Sequence, residues 1–419
     1  MNNEVVLTQH AQRLLSNSLL SSHSDSYTRY LTERGYSFSS IKDYVSCIAH
    51  FAHWLKNRRA TLGQIDEALA QRFLDDHLPR CKCPGRVQRC HHQVRAALKH
   101  LLSALRLNAK IPLPQDKTPA SIREEICRFD AYLDQVCGVA TVTRLKRTSI
   151  IRTFLFEQFG KDRIDIKGVT PKHVCQFVID HTKGCKPSTG KIIGVAMRSY
   201  LKFRGIHGDC VQTLLASIPH IAEWRLASLP NVLSVEELEQ FLNAFDCQTP
   251  TGRRDYAMAR CLVDLGLRVG EVARLQLGDI HWRKGTVHLN GSKARREDVL
   301  PLPPQTGRAI ATYLRDGRPV SVSRALFLRH VAPLCEPIGP GVVRIAVRRA
   351  YAQCGWSHRW TGTHVLRHSV ASRLLQTGRP MKEIADILRH RCLDSTAIYA
   401  KVDTNKLADI AMPWPGSTS

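Results

Sequence analysis

The stretch LGLRVGEVARLQLGDI, residues 265–280, places an arginine at a Gly-Leu-Arg corner between two helical patterns. We expect this corner to present Arg268 at the start of a helix, with Glu271 three residues further on. A guanidinium that is held rigidly can bind two oxygens of one phosphate at the same time. An ordinary surface salt bridge would explain the same residues, so the surrounding sequence has to separate the two interpretations.

Two short β-strands are predicted after this corner. GTVHLN, from residue 285, and EDVLPLP, from residue 297, have the composition of strands, and the polar loop GSKARR joins them. Lys293 lies in that loop, where its ammonium group can reach into a groove and donate a proton. A solvated turn is the alternative interpretation of this lysine.

Two histidine-containing stretches follow in helical patterns. THVLRH places His364 and Arg367 on one helix face, because the two residues are three positions apart. ILRHRCLDSTAIYAKV, residues 387–402, contains His390 and, further along, Tyr399. A buried tyrosine usually packs in a core with its hydroxyl at the edge, so this motif alone does not establish a nucleophile.

Taken together, these side chains are the ones that phosphoryl transfer on DNA needs without a metal ion. Two guanidiniums and a histidine neutralise the charge of the pentavalent phosphate, and a lysine protonates the leaving oxygen. A histidine manages the proton of the nucleophile, and a tyrosine hydroxyl attacks. Because the pKa of tyrosine is about 10, the hydroxyl needs this cationic surround to become a competent nucleophile.

The net charge indicates a polyanionic partner. The chain of 419 residues has 61 Lys and Arg residues against 36 Asp and Glu residues, a formal net charge of +25. This excess is spread along the chain, which favours nucleic acid bound over a large surface. A protein that is basic only for solubility is the weaker alternative.

Composition also disfavours membrane and secreted proteins. The sequence has no apolar run of roughly 18 residues or more, and its N-terminus lacks a basic region followed by an apolar one. We therefore expect a cytoplasmic protein without a membrane partner. Its fourteen cysteines are expected to be reduced thiols.

Two segments of the N-terminal half share the same order of helical patterns. They span residues 24–106 and 122–204, and each has the pattern of a four-helix bundle. The proline-rich stretch KIPLPQDKTPAS, residues 110–121, is predicted to link them. Ser234 and Glu237 form a capping-box pattern that predicts a helix start in the next part of the chain. The predicted fold class is mainly α with a small β-sheet, that is, α+β.

From about residue 233 to the end, the sequence resembles the catalytic domain of the tyrosine recombinase (phage integrase) family. The motifs that carry this resemblance are GLRVGEV, the Lys293 hairpin ending in VLPLP, HVLRH, and a His-x8-Tyr element ending in IYAKV. Their order and spacing match over about 170 residues, and the combination is highly specific. The family carries out site-specific DNA recombination, including integration.

The resemblance implies roles for the cationic residues. Arg268 and Arg367 would hold the non-bridging oxygens of the scissile phosphate, and Lys293 would be the general acid towards the 5′ oxygen.

It also implies roles for the remaining site residues. His364 would be the acid/base at the nucleophile, His390 would hydrogen-bond the phosphate, and Tyr399 would form the 3′-phosphotyrosyl bond. Glu271 occupies the position of an acidic support for the site. His368 follows the motif and is assigned a structural role.

Two departures from the family pattern stand out. Members usually carry Leu-Gly-His before the tyrosine segment, whereas this chain has Arg389 in place of the glycine, which suggests that the turn is made differently. Members also usually have one helical bundle before the catalytic domain, and this chain has two. The second is the better candidate for the clamp on the duplex; the first is an arm-site binder, an extended clamp or an assembly module.

The predicted domains follow from this comparison. The two bundles are expected to be SAM-like and core-binding-like. The predicted domains are an N-terminal extension (1–20), a first helical domain (21–109), a linker (110–121), a second helical domain (122–225) and a catalytic domain with a C-terminal tail (226–419).

The resemblance implies double-stranded DNA as the partner and four protomers acting on two duplexes through a Holliday junction, alone or with sister recombinases. Neither ATP nor a metal would be required, and the protein would act at the bacterial nucleoid for a mobile element. The tail LADIAMPWP would dock on a neighbouring protomer or fold back. Two alternatives stay open: a type IB topoisomerase, and a catalytically idle DNA-binding subunit of a recombinase complex.

A cysteine-rich loop lies outside the catalytic motifs. RCKCPGRVQRCHH, residues 80–92, contains Cys81, Cys83, Cys90, His91 and His92, and His77 lies just upstream. Thiolates and imidazoles are the ligands that zinc prefers. The spacing matches no standard zinc finger. A structural zinc ion in the first bundle and a reduced, exposed basic loop are therefore both open interpretations.

Overall fold

The computed structural model describes residues 8–85, 87–113, 118–221, 230–289, 298–360, 362–389, 396 and 398–399. Within these ranges the chain is mostly helical with one small three-stranded sheet, which confirms the predicted fold class. The chain forms two compact units: residues 116–228 form one, and residues 1–115 together with 229–419 form the other. The domain boundaries predicted from the sequence stay predictions.

The first part of the larger unit is a helical bundle with its own hydrophobic core. The side chain of Ser37 caps its longest helix by accepting a hydrogen bond from the backbone of Ser40. The inward face of that helix follows the helical repeat, with Ile41, Val45 and Ile48 all buried. The helices are α1 (Gln9–Ser16), α2 (Ser24–Glu33), α3 (Phe38–Asn57), α4 (Glu67–Arg72) and α5 (His91–Leu107).

The smaller unit is a second helical bundle with a separate core. Its centre contains a buried carboxylate, Glu125, which accepts hydrogen bonds from the Tyr200 hydroxyl (2.9 Å) and from Arg204 Nη1 (2.8 Å). The helices are α6 (Ala120–Gln135), α7 (Thr141–Phe159), α8 (Pro171–Thr182), α9 (Pro187–Ile206) and α10 (Gln212–Ala216).

The C-terminal part of the larger unit begins where the sequence predicts. Ser234 and Glu237 form the expected capping box, with reciprocal hydrogen bonds of 3.2 and 2.9 Å. The helices that follow are α11 (Val235–Asn243), α12 (Pro250–Asp264), α13 (Val269–Val272), α14 (Pro304–Asp316), α15 (Pro340–Gln353), α16 (His364–Gln376) and α17 (Met381–Ile387). Helix α12 is central, because α14, α15 and α16 all pack against it.

The small sheet contains the two predicted strands and one that the sequence did not indicate. Strands β2 (Thr286–Leu289) and β3 (Asp298–Pro301) pair antiparallel, with Val287 opposite Leu300. The additional strand, β1 (Ile280–His281), pairs with the other edge of β2. The loop that carries Lys293 joins β2 to β3 and lies outside the described residues.

The two parts of the larger unit touch at the end of α2. The backbone N–H of Leu334 donates a hydrogen bond of 3.1 Å to the carbonyl oxygen of Arg34. The next residue, Gly35, has a φ of +73°, and a Cβ atom there would lie 2.5 Å from the Leu334 side chain.

None of the helices in the described ranges is long and apolar enough to cross a membrane.

The buried Glu125 cluster predicts a large effect on stability. Glu125→Ala should destabilise the smaller unit by about 1–3 kcal/mol, because it leaves the buried Tyr200 hydroxyl without its acceptor. The same change leaves Arg204 with Asp209 as its remaining carboxylate partner. Hydrogen exchange of the α6 and α9 amides in the full chain measures this loss of protection. The neighbouring Glu124 is exposed, so Glu124→Ala is the matched control and should leave exchange unchanged. Equal protection in the two variants would contradict the prediction.

Candidate active site

The corner before α13 is built by a glycine. Gly266 has a φ of +58°, and a Cβ atom there would lie 2.7 Å from Cδ2 of Leu388. Only glycine allows both this backbone conformation and this close approach. Two residues later, Arg268 occupies the N-cap position of α13, which is the helix start that the sequence predicts.

Glu271 holds Arg268 in a fixed orientation. Its carboxylate accepts hydrogen bonds of 2.8 Å from both the backbone N–H and the Nη1 of Arg268. Burial acts to raise the pKa of Glu271, but Arg389 and Arg268 outweigh burial and bring this pKa below its usual value. The carboxylate is therefore charged and anchors the arginine side chain.

Arg389 belongs to the same cluster. Its Nη2 donates a hydrogen bond of 2.6 Å to Glu271, and its carbonyl oxygen accepts one of 3.2 Å from Arg268 Nη2. Arg389 has a φ of +53°, the left-handed conformation that a glycine would adopt at this position. The expectation that the turn is made differently is therefore wrong. The arginine accepts a backbone strain of about 1–3 kcal/mol, which its ion pair with Glu271 helps to offset.

Arg367 is also buried at this site. It lies on α16 and donates hydrogen bonds to the carbonyl oxygens of Gly266 and Leu388. Burial lowers its pKa to about 9, and the positive charges of Arg268 and Arg389 act in the same direction. The side chain is still protonated at neutral pH, so the cluster concentrates positive charge that an anion would relieve.

Arg268, Glu271 and Arg367 line a cleft of about 460 Å³. The cleft also contains three arginines that the sequence analysis did not single out. The spacing of two of them on α15 could have indicated that they share one helix face. Arg344 and Arg348 are four residues apart and therefore share one face of that helix. The cationic and imidazole side chains that line the cleft are those of Arg268, Arg274, Arg344, Arg348, His364 and Arg367.

Tyr399 lies against the same helix that carries Arg367. Its hydroxyl is 2.7 Å from Nδ1 of His368, and its side chain is only 1% exposed, in a small core with Val370 and Leu388. Burial raises the pKa of Tyr399, whereas Arg367 acts to lower it. The hydroxyl is therefore protonated in this arrangement.

His368 thus contacts the predicted nucleophile, although the sequence assigned it a structural role. Burial lowers its pKa to about 4, with further lowering by His364 and Arg367. A neutral imidazole can accept a hydrogen bond from the tyrosine hydroxyl. His364 begins α16, and its ring centroid is 6.3 Å from that of His368.

Among the predicted site residues, the structure brings together Arg268, Glu271, His364 and Arg367, with Tyr399 adjoining them through His368. Lys293, His390 and the tail after Tyr399 lie outside the described residues.

The structure places the predicted zinc ligands in two separate groups. Cys81 and Cys83 lie together, and their partners are His50 and His77. Cys90 and His91 are exposed at the N-terminal end of α5 and do not belong to this group. His50 was not predicted, because α3 brings it to the loop from a distant part of the sequence.

The electrostatics of this group differ from those of an exposed loop. Burial lowers the pKa of His50 to about 4, so its imidazole is neutral at physiological pH. Burial acts to raise the pKa of Cys81, but hydrogen bonds from the Cys83 backbone and from Arg89 outweigh it and leave this pKa below its usual value.

Comparison with known proteins gives consistent results. The phage integrase family model matches residues 231–406. The integrase/recombinase y4rA of Sinorhizobium fredii is 35% identical over 392 residues, which cover 93% of each chain. Tyrosine recombinase XerD of Listeria monocytogenes is 30% identical over 287 residues, covering 67% of this chain and 86% of XerD.

Solved structures share the fold. The XerH site-specific recombinase bound to palindromic difH substrate, in a post-cleavage complex, matches with a TM-score of 0.55 and 19% identity, covering 72% of this chain and 91% of XerH. Residues 82–397 of the Tn1549 transposon integrase, with a circular intermediate DNA, match with a TM-score of 0.51 and 17% identity, covering 67% of this chain and 99% of that solved chain. With the near full-length similarity to y4rA, these findings establish that the chain belongs to the phage integrase family of tyrosine recombinases, enzymes of site-specific DNA recombination.

Proposed function

We propose that this chain cuts and rejoins specific DNA sites by forming a 3′-phosphotyrosyl bond through Tyr399. The observation that carries the proposal is that one helix, α16, connects the cationic cleft to the tyrosine. It places His364 and Arg367 at the cationic cleft and holds the Tyr399 hydroxyl through His368. A module that only binds DNA would have no need of this connection between a phosphate site and a tyrosine.

The cleft suits the scissile phosphate. Arg268 and Arg367 would bind its non-bridging oxygens and stabilise the charge that grows in the transition state. His364, at the edge of the cleft, would exchange the proton of the nucleophile. Lys293 would protonate the 5′ leaving oxygen, and His390 would donate a hydrogen bond to the phosphate.

His368 would hold the tyrosine before the reaction. In the DNA-free protein the hydroxyl of Tyr399 is buried and its pKa is raised, so the tyrosine is a poor nucleophile. A phosphate bound between Arg268 and Arg367 would place the scissile bond near the hydroxyl. We therefore propose that DNA binding moves Tyr399 from the neutral imidazole of His368 towards the phosphate.

The biological setting that we propose is recombination for a mobile genetic element. The support is that y4rA, named an integrase/recombinase, aligns over 93% of this chain and therefore includes its N-terminal helices. The reaction would use four protomers on two duplexes at the bacterial nucleoid, with or without sister recombinases. The bond energy stays in the phosphotyrosine, so the chemistry needs no ATP.

Covalent trapping tests the nucleophile. Nicked suicide duplexes from the DNA flanking the gene should form a denaturation-resistant adduct with the wild type. Tyr399→Phe should bind the same duplexes and form no adduct, because it lacks only the hydroxyl. Tight wild-type binding without an adduct would favour the idle-subunit alternative. Relaxation of supercoiled plasmid without a recombination site would favour the topoisomerase alternative.

Removal of Arg268 should slow cleavage far more than it weakens DNA binding. We expect Arg268→Ala to reduce the rate of adduct formation by roughly 10²–10³-fold, because it removes a donor to the developing charge. Arg315 carries the same charge but lies on the exposed surface beside Asp316, so Arg315→Ala is the matched control. Equal rates for the two variants would exclude Arg268 from the cleavage step.

The proposed role of His368 predicts a graded result. His368→Ala should speed adduct formation, because the tyrosine no longer has to leave the imidazole. His368→Gln should give a smaller increase, because an amide oxygen can still accept the tyrosine hydrogen bond. Single-turnover cleavage at saturating DNA separates this effect from binding. Wild-type rates in both variants would return His368 to the structural role that the sequence assigned to it.

A further inference from the structure

Four possible metal ligands converge in the first helical bundle, remote in sequence from the cleavage residues. His50 comes from α3, and His77 ends a π-helical turn at Phe73–His77. Cys81 and Cys83 follow after one short intervening turn. The two imidazole nitrogens and the two sulfur atoms all lie within 4.8 Å of one another.

The spacing of the atoms matches tetrahedral coordination. Zinc–nitrogen and zinc–sulfur bonds of about 2.0–2.3 Å place neighbouring ligand atoms about 3.3–3.8 Å apart around a tetrahedron. The Nε2 atoms of His50 and His77 are 3.3 Å apart, and Cys81 Sγ is 3.3 Å from His50 Nε2. Cys83 Sγ is 3.5 Å from His77 Nε2. All three distances fall in the range that a shared ion requires.

The surroundings of His50 orient its metal-binding atom. Nδ1 of His50 lies 2.9 Å from the carbonyl oxygen of Gln88. A carbonyl oxygen can only accept, so Nδ1 carries the proton, and Nε2 of the neutral ring directs its lone pair at His77 and Cys81. Metal-bound histidines commonly have this arrangement, in which the second nitrogen donates to a carbonyl group and fixes the ring.

Neighbouring groups hold the other ligands in place. The Phe73 ring stacks on His77 with a centroid distance of 5.1 Å and meets His50 edge-on at the same distance. The backbone N–H of Cys83 donates a hydrogen bond of 3.4 Å to Cys81 Sγ. A π-helical turn, such as the one that ends at His77, is rare and is often found at functional sites.

We propose that His50, His77, Cys81 and Cys83 bind one structural Zn²⁺ ion. The ligand atoms are both Nε2 nitrogens and both sulfurs, and each thiol releases its proton to solvent when the ion binds. Four protein ligands leave no open position for a substrate, so the ion stabilises the bundle and takes no part in DNA cleavage. It joins α3 to the segment that follows the π-helical turn.

Metal content of the purified full chain tests this proposal. Wild-type protein from zinc-supplemented medium should contain about one zinc ion per chain by mass spectrometry, as expected for a closed four-ligand site. Cys81→Ser and Cys83→Ser should lose the ion. Cys90→Ser and His91→Ala are the matched controls, because both residues are exposed in the same region, and both variants should keep it. Zinc-free wild type, or equal loss in the controls, would overturn the proposal.

A cobalt titration covers the case in which the ligand variants do not fold. Co²⁺ added to the chelator-treated wild-type chain should produce the visible absorption of tetrahedral cobalt and a thiolate-to-cobalt charge-transfer band, and Zn²⁺ should displace both. Chelation should also lower the melting temperature of the wild type, and zinc should restore it. Absence of the cobalt bands in folded wild type would overturn the proposal, whatever the result of the cleavage assays.

Discussion

The carboxylate of Glu271 is the group on which the candidate active site depends. It binds the backbone and side chain of Arg268 at the beginning of α13, and it binds the guanidinium of Arg389 from a segment 118 residues away. Without this anion, two buried or half-buried cations would face each other at the cleft. The ion pairs therefore bring the two segments together and fix the direction of Arg268.

The same region has more positive than negative charge close to the cleft. Arg268 and Arg389 both pair with Glu271, and Asp298 lies 3.8 Å from Arg389. Arg367 donates to nearby carbonyl oxygens. Burial and mutual repulsion already lower the pKa of Arg367. A bound phosphate would relieve this repulsion, so an anion in the cleft would be stabilised by these charges.

The two N-terminal bundles are stabilised mainly by burial of apolar side chains. Each encloses its own hydrophobic core, and their exposed surfaces account for part of the large net charge. Each also buries a polar side chain: Glu125 in the second bundle, and in the first bundle His50, which is fully shielded from solvent. Buried imidazoles need partners, and a metal ion would satisfy them together with the two thiols.

Local patterns in the sequence were sufficient to predict the helices, the β2–β3 pair, the capping box at Ser234 and the family motifs. Each of these features depends on residues that lie close together in the chain. The partners of those motifs were decided by tertiary structure alone. His368 meets Tyr399 across 31 positions, and His50 meets Cys81 across another 31. No periodicity relates such residues, because their contact depends on how separate helices pack. The left-handed backbone of Arg389 was unpredictable for the same reason: its strain is tolerated only where Glu271 binds the side chain.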